Sequence, residues 1–313
     1  MKDRVKWLDY ANVLAMLAVV WFHVPSAAEA QIRHLEYITV NIPFFLLSGY
    51  VFALAGKDKR NTKDFLKHLC KSLLVPTCFF YAFFYVLWLV AGRRLAGDAE
   101  LWNVPLQEFI QGQFNVVLAT YWFVISLFVM NLLYYALSKS QSHLLVALAC
   151  GLMPVISLYC PLPGLFRLRE AMLFIPFFAI GAGLYRQREH RTAYADIALC
   201  LLCLAVYCLI SHHTDTAYYR WYEMLSGLAL CAVVYLVAKA FSGYSRADRF
   251  VGTLRYGALV LLATQNYIIG CAKVLFDISD IRLKPLVIIS VYAITYPIIL
   301  LVRKKMPFIL GKW

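Results

Sequence analysis

Ten runs of apolar residues, each long enough to span most of a membrane, constrain this chain more than any other feature. A helix needs roughly 17–25 mainly apolar residues to cross a bilayer. The runs lie near residues 9–28, 37–56, 72–92, 117–138, 143–160, 171–186, 196–212, 221–241, 254–276 and 284–302. The sequence therefore predicts an all-α integral membrane protein with about ten transmembrane helices, forming a single polytopic domain over residues 1–313.

The basic residues indicate how those helices are oriented. The net charge is +13, which in a soluble protein would suggest a nucleic-acid partner. Here the lysines and arginines fall in short segments between apolar runs. If the N-terminus is cytoplasmic, most of the 30 basic residues lie on the cytoplasmic side. The pattern predicts two cytoplasmic termini, insertion in the inner (cytoplasmic) membrane, and membrane lipid rather than nucleic acid as the partner of these charges.

The first apolar run carries a histidine in its second half. An ionisable group inside a span is costly, and it usually faces a protein interior or a wet cavity. An imidazole there can take a proton from a hydroxyl, or it can simply bond to a neighbouring helix. Asn12 lies eleven residues before His23, about three helical turns, and Asp9 lies close to the same face. Asp9 also suits a helix start, where the helix dipole favours a carboxylate.

Two further segments carry residues that suit a binding site. The second run reads NIPFFLLSGYVFA, in which Pro43 frees a backbone carbonyl and Ser48-Gly49 allows a close helix approach. The segment FLKHLCKSLLVP places Lys67 and Lys71 four residues apart on one helical face. These lysines suit the phosphates of a coenzyme, or they only add to the cytoplasmic positive charge.

Together these segments resemble the membrane acyltransferase-3 family, and in particular its stand-alone fucose-4-O-acetylase-like and enterobacterial-common-antigen acetyltransferase-like branch. The opening WLDYANVLAMLAVVWFH is similar to the first helix of that family, and His23 matches its catalytic histidine. NIPFFLLSGYVFA resembles the Pro-x-Phe-x-x-x-Ser-Gly-Tyr signature, which ends at Gly49 and Tyr50. The segments FLKHLCKSLLVP, YWFVISLF and FIPFFAIGAGL are similar to three later family segments, in the same order.

The resemblance implies an O-acetyltransferase that moves an acetyl or other short acyl group from acyl-CoA, most simply acetyl-CoA, to a hydroxyl of a cell-surface or lipid-linked glycan. In this interpretation His23 deprotonates the hydroxyl or briefly carries the acyl group. Asn41, Ser48 and Gln265 are the candidate donors to the developing oxyanion. The sugar-binding candidates are Arg167, Arg169 and Glu170, or these residues form a solvated loop. Trp122 either stacks on a sugar or anchors its helix at the membrane interface.

Two positions depart from the family pattern. The family usually has Arg or Lys eleven residues before the histidine, where this chain has Asn12. A second histidine often ends the ninth span, where this chain has Gln265, which can hydrogen-bond but cannot act as an acid or base near neutral pH. A catalytically silent family member therefore stays open as an alternative.

A transporter or flippase for a lipid-linked glycan is the competing class, because it would also have about ten helices and a few intramembrane polar groups. Such proteins often contain inverted repeats with paired broken helices, and the sequence has no such pair. The sequence predicts no metal site, since Cys200 and Cys203 lack a second pair of ligands. It is compatible with a homo-oligomer.

Overall fold

The computed structural model describes residues 5–24, 33–92, 103–114, 117–140, 142–188, 193–210, 219–243, 247–276 and 280–310. The described residues are 89% helical and contain no β-strand. The all-α class that the apolar runs predict is therefore confirmed.

Thirteen α-helices account for most of the described residues. In chain order they are α1 (Lys6–His23), α2 (Arg33–Leu54), α3 (Thr62–Leu69), α4 (Val75–Leu87), α5 (Val104–Gln111), α6 (Trp122–Ser138), α7 (His143–Tyr159), α8 (Leu168–Arg186), α9 (Ala193–Ile210), α10 (Tyr219–Phe241), α11 (Asp248–Tyr256), α12 (Ala258–Leu275) and α13 (Lys284–Lys305).

The described part of each of the ten predicted spans falls on one or more of these helices, whereas residues 25–28 and 211–212 of two spans lie outside the described residues. Five helical stretches of the described chain are long and apolar enough to cross a membrane, and two more are apolar but shorter. The five are Thr62–Val90, Ala119–Ser138, Tyr222–Phe241, Ala258–Leu275 and Ile281–Lys305, and the shorter two are Ile38–Leu54 and His143–Tyr159. These helices are those of a membrane protein. The count of ten transmembrane helices and the side of the membrane on which each terminus lies stay predictions.

The apolar run near 254–276 begins earlier than the helix that occupies it. The structure ends α11 at Tyr256 and begins α12 at Ala258, with Gly257 between them. A Cβ added at Gly257 would lie 2.2 Å from the side chain of Ile299 in α13. A glycine is therefore needed where α13 packs against this junction, a contact that hydropathy does not reveal.

Helices α3 and α4 are joined into one longer helix by a π-helical segment, Cys70–Leu74. Pro76 follows in the first turn of α4, where its missing N–H and its ring disturb the preceding turn. A π segment widens the helix by one residue per turn and so accommodates that disturbance. Because Lys71 lies within it, Lys67 and Lys71 do not keep the regular α-helical spacing that the sequence predicts.

Two compact units divide the chain. Unit 1 comprises residues 1–54 and 180–300, and unit 2 comprises residues 55–179 and 301–313. In unit 1, α1, α2 and α10 pack against one another, α9 packs on α10, and α11 and α12 pack on α1. In unit 2, α6 packs against α7 and the π segment, and α4 packs against the turn at Pro307–Leu310.

Three contacts fix the directions of α1, α2 and α10. Trp7 at the start of α1 packs against Tyr50 and Tyr235, which lie late in α2 and α10. Thr39, early in α2, bonds to Ser226, early in α10. Helices α2 and α10 are therefore parallel to each other and antiparallel to α1. We call the two ends of unit 1 the Trp7 end and the His23 end.

Small residues let these helices approach closely. A Cβ at Gly181 in α8 would lie 1.9 Å from the carbonyl oxygen of Leu46 in α2. A Cβ at Gly227 in α10 would lie 2.3 Å from the side chain of Ile42 in α2. Helix α2 is thus held at two levels by glycines of neighbouring helices, as is usual for helices that pack in a membrane.

The Gly181 contact predicts unequal effects of two glycine substitutions in α8. Gly181→Ala forces a methyl group into the backbone of α2 and should destabilise the protein by about 1–3 kcal/mol. Gly183→Ala is the matched control, since a Cβ there meets nothing within 4 Å, and it should be neutral or stabilising because alanine favours helix. Thermal unfolding of both purified variants measures this, and equal melting temperatures would contradict the close packing.

Candidate active site

His23 lies in the last turn of α1 and is partly buried. Its Nδ1 is 2.7 Å from the carbonyl oxygen of Val19, one turn earlier. A carbonyl oxygen only accepts, so Nδ1 carries the hydrogen and the neutral ring has its lone pair on Nε2. The ring also packs edge-to-face on Phe22, with centroids 5.3 Å apart. The backbone thus sets both the tautomer and the orientation of the imidazole.

The other polar residues on the His23 face of α1 have partners at the Trp7 end. Asp9 is buried, with 1% of its surface exposed. It accepts a hydrogen bond from the guanidinium of Arg255 at the end of α11. Asn12 donates from Nδ2 to the carbonyl oxygen of Leu8, at 2.7 Å. Of the predicted binding residues, Asp9 is therefore one half of an ion pair whose cation the sequence analysis missed.

A second carboxylate holds the start of α11 on α1. Asp248 pairs with Lys6 at 2.6 Å and accepts a hydrogen bond from the hydroxyl of Tyr10 at 3.1 Å. Asp248 and Arg255 are two helical turns apart, so α11 lies along the first turns of α1. This arrangement fixes where α12, which follows directly, runs beside α1.

Gln265 in α12 is fully buried, and neither atom of its amide has a hydrogen-bond partner among the residues that the structure describes. It is the eighth residue of α12, about 10 Å along that helix from Ala258. Because α12 begins just after Arg255 and packs on α1, Gln265 lies farther toward His23 along α1 than the Asp9–Arg255 pair does. The hydroxyl of Tyr292 in α13 is also buried without a partner. It lies one turn from Thr295, whose hydroxyl is 3.0 Å from that of Thr264.

The packing of α2 on α10 contributes another polar group to the half of unit 1 that holds His23. Thr39 and Ser226 join by their hydroxyls at 2.5 Å. The backbone carbonyl oxygen of Glu223 lies 3.2 Å from the Thr39 hydroxyl and 2.8 Å from the Ser226 hydroxyl, so one hydroxyl donates to the other and the second donates to this carbonyl. Glu223 and Asn41 are buried, at 3% and 6% exposure. Sequence reasoning overlooked Glu223, although an acidic residue inside an apolar run was a sufficient signal.

The remaining predicted residues of α2 lie toward the Trp7 end. Tyr50 packs edge-to-face on Trp7, with ring centroids 5.2 Å apart. Gly49 is buried and Ser48 is partly buried. Since α2 is antiparallel to α1, Ser48 is farther from the level of His23 than Asn41 is. Of the three predicted oxyanion donors, Asn41 and Gln265 therefore belong to the half of unit 1 that holds His23.

Three predicted residues of unit 2 lie on its helices α3 and α6 and in the π segment. Lys67 is exposed and Lys71 is partly buried. Trp122 begins α6, and its ring lies 6.4 Å from that of Phe174. The neighbouring turn is also basic, and there burial and the charge of Arg60 lower the pKa of Lys57 to about 8.

The predicted sugar-binding residues of unit 2 make local contacts at the start of α8. Arg167 pairs with Glu170 at 3.0 Å and donates from Nε to the carbonyl oxygen of Gln113 at 3.1 Å. Arg169 donates to the carbonyl oxygen of Ser157 at the end of α7, at 3.0 Å. Phe166 and Arg167 both have positive φ, 51° and 53°. These contacts hold a sharp turn, so the three residues have a structural role at that position.

Comparison with known proteins adds one finding. A model of the acyltransferase-3 family, described as an acyltransferase domain, matches residues 5–304, nearly the whole chain. The chain matches no curated protein and no solved structure.

The unpaired amide of Gln265 predicts an unusual stability effect. A buried amide without a partner costs about 1–3 kcal/mol, so Gln265→Leu should raise the melting temperature of the purified protein. The adjacent Thr264→Val is the control, because it removes hydrogen bonds to Val260 and Thr295. It should destabilise by about 0.5–1.5 kcal/mol. A lower melting temperature for Gln265→Leu would show that the amide has a stabilising partner.

Proposed function

Because the chain belongs to the membrane acyltransferase-3 family, we propose that it moves an acetyl or other short acyl group from acyl-CoA to a hydroxyl of a cell-surface or lipid-linked glycan. The observation that carries the proposal is the tautomer of His23. With Nδ1 donating to the Val19 carbonyl, Nε2 is the basic nitrogen of the neutral ring.

The chemistry assigned to Nε2 is that of a general base. As the glycan oxygen attacks the thioester carbon, its proton passes to Nε2. The tetrahedral intermediate then collapses, the C–S bond breaks, and the sulfur of CoA takes that proton from the imidazolium. In the alternative order, Nε2 attacks the thioester carbon, the C–S bond breaks, and CoA leaves as its thiolate. The hydroxyl oxygen then attacks the acyl-imidazole, the bond from the acyl carbon to Nε2 breaks, and the hydroxyl proton passes to the thiolate. Both routes need the same nitrogen and the same tautomer.

Gln265 is the best-supported donor to the oxyanion that forms in either route. Its amide is fully buried and unpartnered, so an N–H is available without first breaking another hydrogen bond. A donor of this kind, fixed before the reaction, is worth about 10²–10³ in rate in enzymes. An amide performs this task without titrating, which fits a site where the family often has histidine and this chain has glutamine.

Arg255 supplies the positive charge that the family places eleven residues before the histidine. Its guanidinium bonds Asp9, which lies about one turn from Asn12 on the same face of α1. About 37% of the Arg255 side chain is exposed, so part of its donor fork faces outward. We propose that Arg255 and Asn12 bind the anionic part of the acyl donor. Lys67 and Lys71 stay candidates for the CoA phosphates, and Trp122 for the glycan.

The proposed topology has both termini in the cytoplasm and about ten spans in the inner membrane. The Trp7 end of unit 1 then faces the cytoplasm, where acyl-CoA is made, and His23 lies about 20 Å deeper along α1. A catalytically silent member would share this topology, so activity has to be measured directly. The family match favours the transferase over a transporter.

Replacing His23 tests the function. His23→Ala should lower the rate of acyl transfer about 10²–10⁴-fold, because general base catalysis contributes that much, and the acetyl content of surface glycans should therefore fall strongly. The measurement is mass spectrometry of surface polysaccharides from a deletion strain that expresses wild type or variant at equal membrane levels. His143→Ala, at the exposed start of α7, is the matched control and should retain wild-type acetylation. Full acetylation with His23→Ala would refute the proposal.

A further inference from the structure

A cavity of about 380 Å³ lies within unit 1, between α1, α2, α8, α9 and α10. This volume is within the range of about 300–1,000 Å³ that is typical of ligand pockets. Most of its wall is apolar, and α9 and α10 contribute the thiols of Cys200, Cys203 and Cys231. Along α10 the lining runs from Leu228 to Lys239, about 16 Å of helix. The cavity therefore extends along α10, and most of its wall is apolar.

This cavity is separate from the His23 face of α1. Trp7 and Ala11 line it. At about 100° per residue, these two residues lie on the side of α1 roughly opposite Asp9, Asn12 and His23. Ala11 is also about 18 Å below His23 along the helix. The cavity therefore lies on the other side of α1 from the proposed catalytic nitrogen, which makes a ligand other than the reacting groups its natural occupant.

Three aromatic rings line the Trp7 end of the cavity, and a fourth ring packs on one of them. Trp7 packs edge-to-face on Tyr50 at 5.2 Å and on Tyr235 at 5.4 Å. Tyr50 packs in the same way on Tyr185, at 5.2 Å. Tryptophan and tyrosine prefer the level of the lipid headgroups, since one part of each ring is apolar and the other is polar. The collar formed by Trp7, Tyr50, Tyr185 and Tyr235 thus marks the boundary between lipid tails and headgroups.

Two cations lie at the same collar. The ammonium of Lys239 is 5.7 Å from the ring centroids of both Trp7 and Tyr235. The guanidinium of Arg188 is 3.9 Å from the Tyr185 ring. One carboxylate, Asp196, is also present and accepts a hydrogen bond from the hydroxyl of Tyr235 at 2.7 Å. Among the described residues, the charged groups that line this cavity are therefore two cations and one carboxylate, a basic balance that suits a phosphodiester.

We propose that this cavity holds one anionic phospholipid. Its phosphate lies between Arg188 and Lys239, and one acyl chain runs along the apolar wall past Cys203 and Cys231. Basic pockets between membrane helices are suited to such headgroups, because the cations and the apolar wall bind the two parts of one molecule. The lipid would fill the space between α9 and α10 and so support the bundle that carries α1. This inference does not depend on the proposed reaction.

The test compares phosphatidylglycerol with phosphatidylcholine on the purified, delipidated full chain in detergent. Native mass spectrometry counts the bound lipids, and thermal unfolding reports their effect. Phosphatidylglycerol should bind at one saturable site and raise the melting temperature, whereas phosphatidylcholine should not. Arg188→Gln/Lys239→Gln should weaken this binding about tenfold or more, since each cation contributes roughly a factor of five. Lys304→Gln/Lys305→Gln, at the end of α13, is the charge-matched control and should bind as wild type does.

A second variant separates the chain from the headgroup. Cys203→Phe fills the apolar wall and leaves both cations in place, and it should also abolish the single saturable site. The proposal would be overturned if the two lipids raised the melting temperature equally. It would also be overturned if the pocket variant and the control variant lost phosphatidylglycerol binding to the same extent. Inorganic phosphate that reproduces the thermal shift would show an anion site without a chain. Acetyl-CoA that displaces phosphatidylglycerol would assign the cavity to the acyl donor. Each of these last two results also refutes a lipid site.

Discussion

The ion pair between Asp9 and Arg255 is the interaction on which the rest of unit 1 depends. A carboxylate buried in a helical bundle is very costly unless it is paired, so Asp9 requires its cation. That requirement joins α1 to α11, although the two residues are 246 positions apart. Because α12 follows α11 after a single glycine, the same pair determines where Gln265 lies beside α1. An electrostatic contact near one end of the bundle thereby organises the polar residues of the other half.

Helix α1 presents two different sets of residues on its opposite faces. One face carries Asp9, Asn12 and His23, and the opposite face carries Trp7 and Ala11 against the apolar cavity. A helix is about 10 Å wide, so molecules bound on the two faces do not compete for the same groups. In this account the first face handles the acyl group and the second holds a structural lipid. One short helix supports both because its ends are fixed by packing and by charge.

The sequence predicts the positions of the helices well and their partners poorly. Each apolar run falls on helix, because membrane insertion depends on local hydropathy. The pairing of Asp9 with Arg255 depends on how distant helices align, and no local pattern encodes that. The junction at Gly257 also depends on how distant helices align, because a side chain of α13 leaves no room there for a Cβ. The local sequence therefore does not predict it. The position of His23 in a span predicts its proposed role, whereas its tautomer is visible only from the contact with Val19.

The central claim is that Nε2 of His23 meets the acyl donor. The most direct measurement is an experimental structure of the protein in a lipid nanodisc with acetyl-CoA bound. The account predicts that the thioester carbon lies on the Nε2 side of the ring, with room between them for one hydroxyl oxygen that is hydrogen-bonded to Nε2 and about 3–3.5 Å from that carbon, and with Nδ1 still bonded to the Val19 carbonyl. A thioester held a helical turn or more away, or a His23 ring that faces lipid, would contradict it.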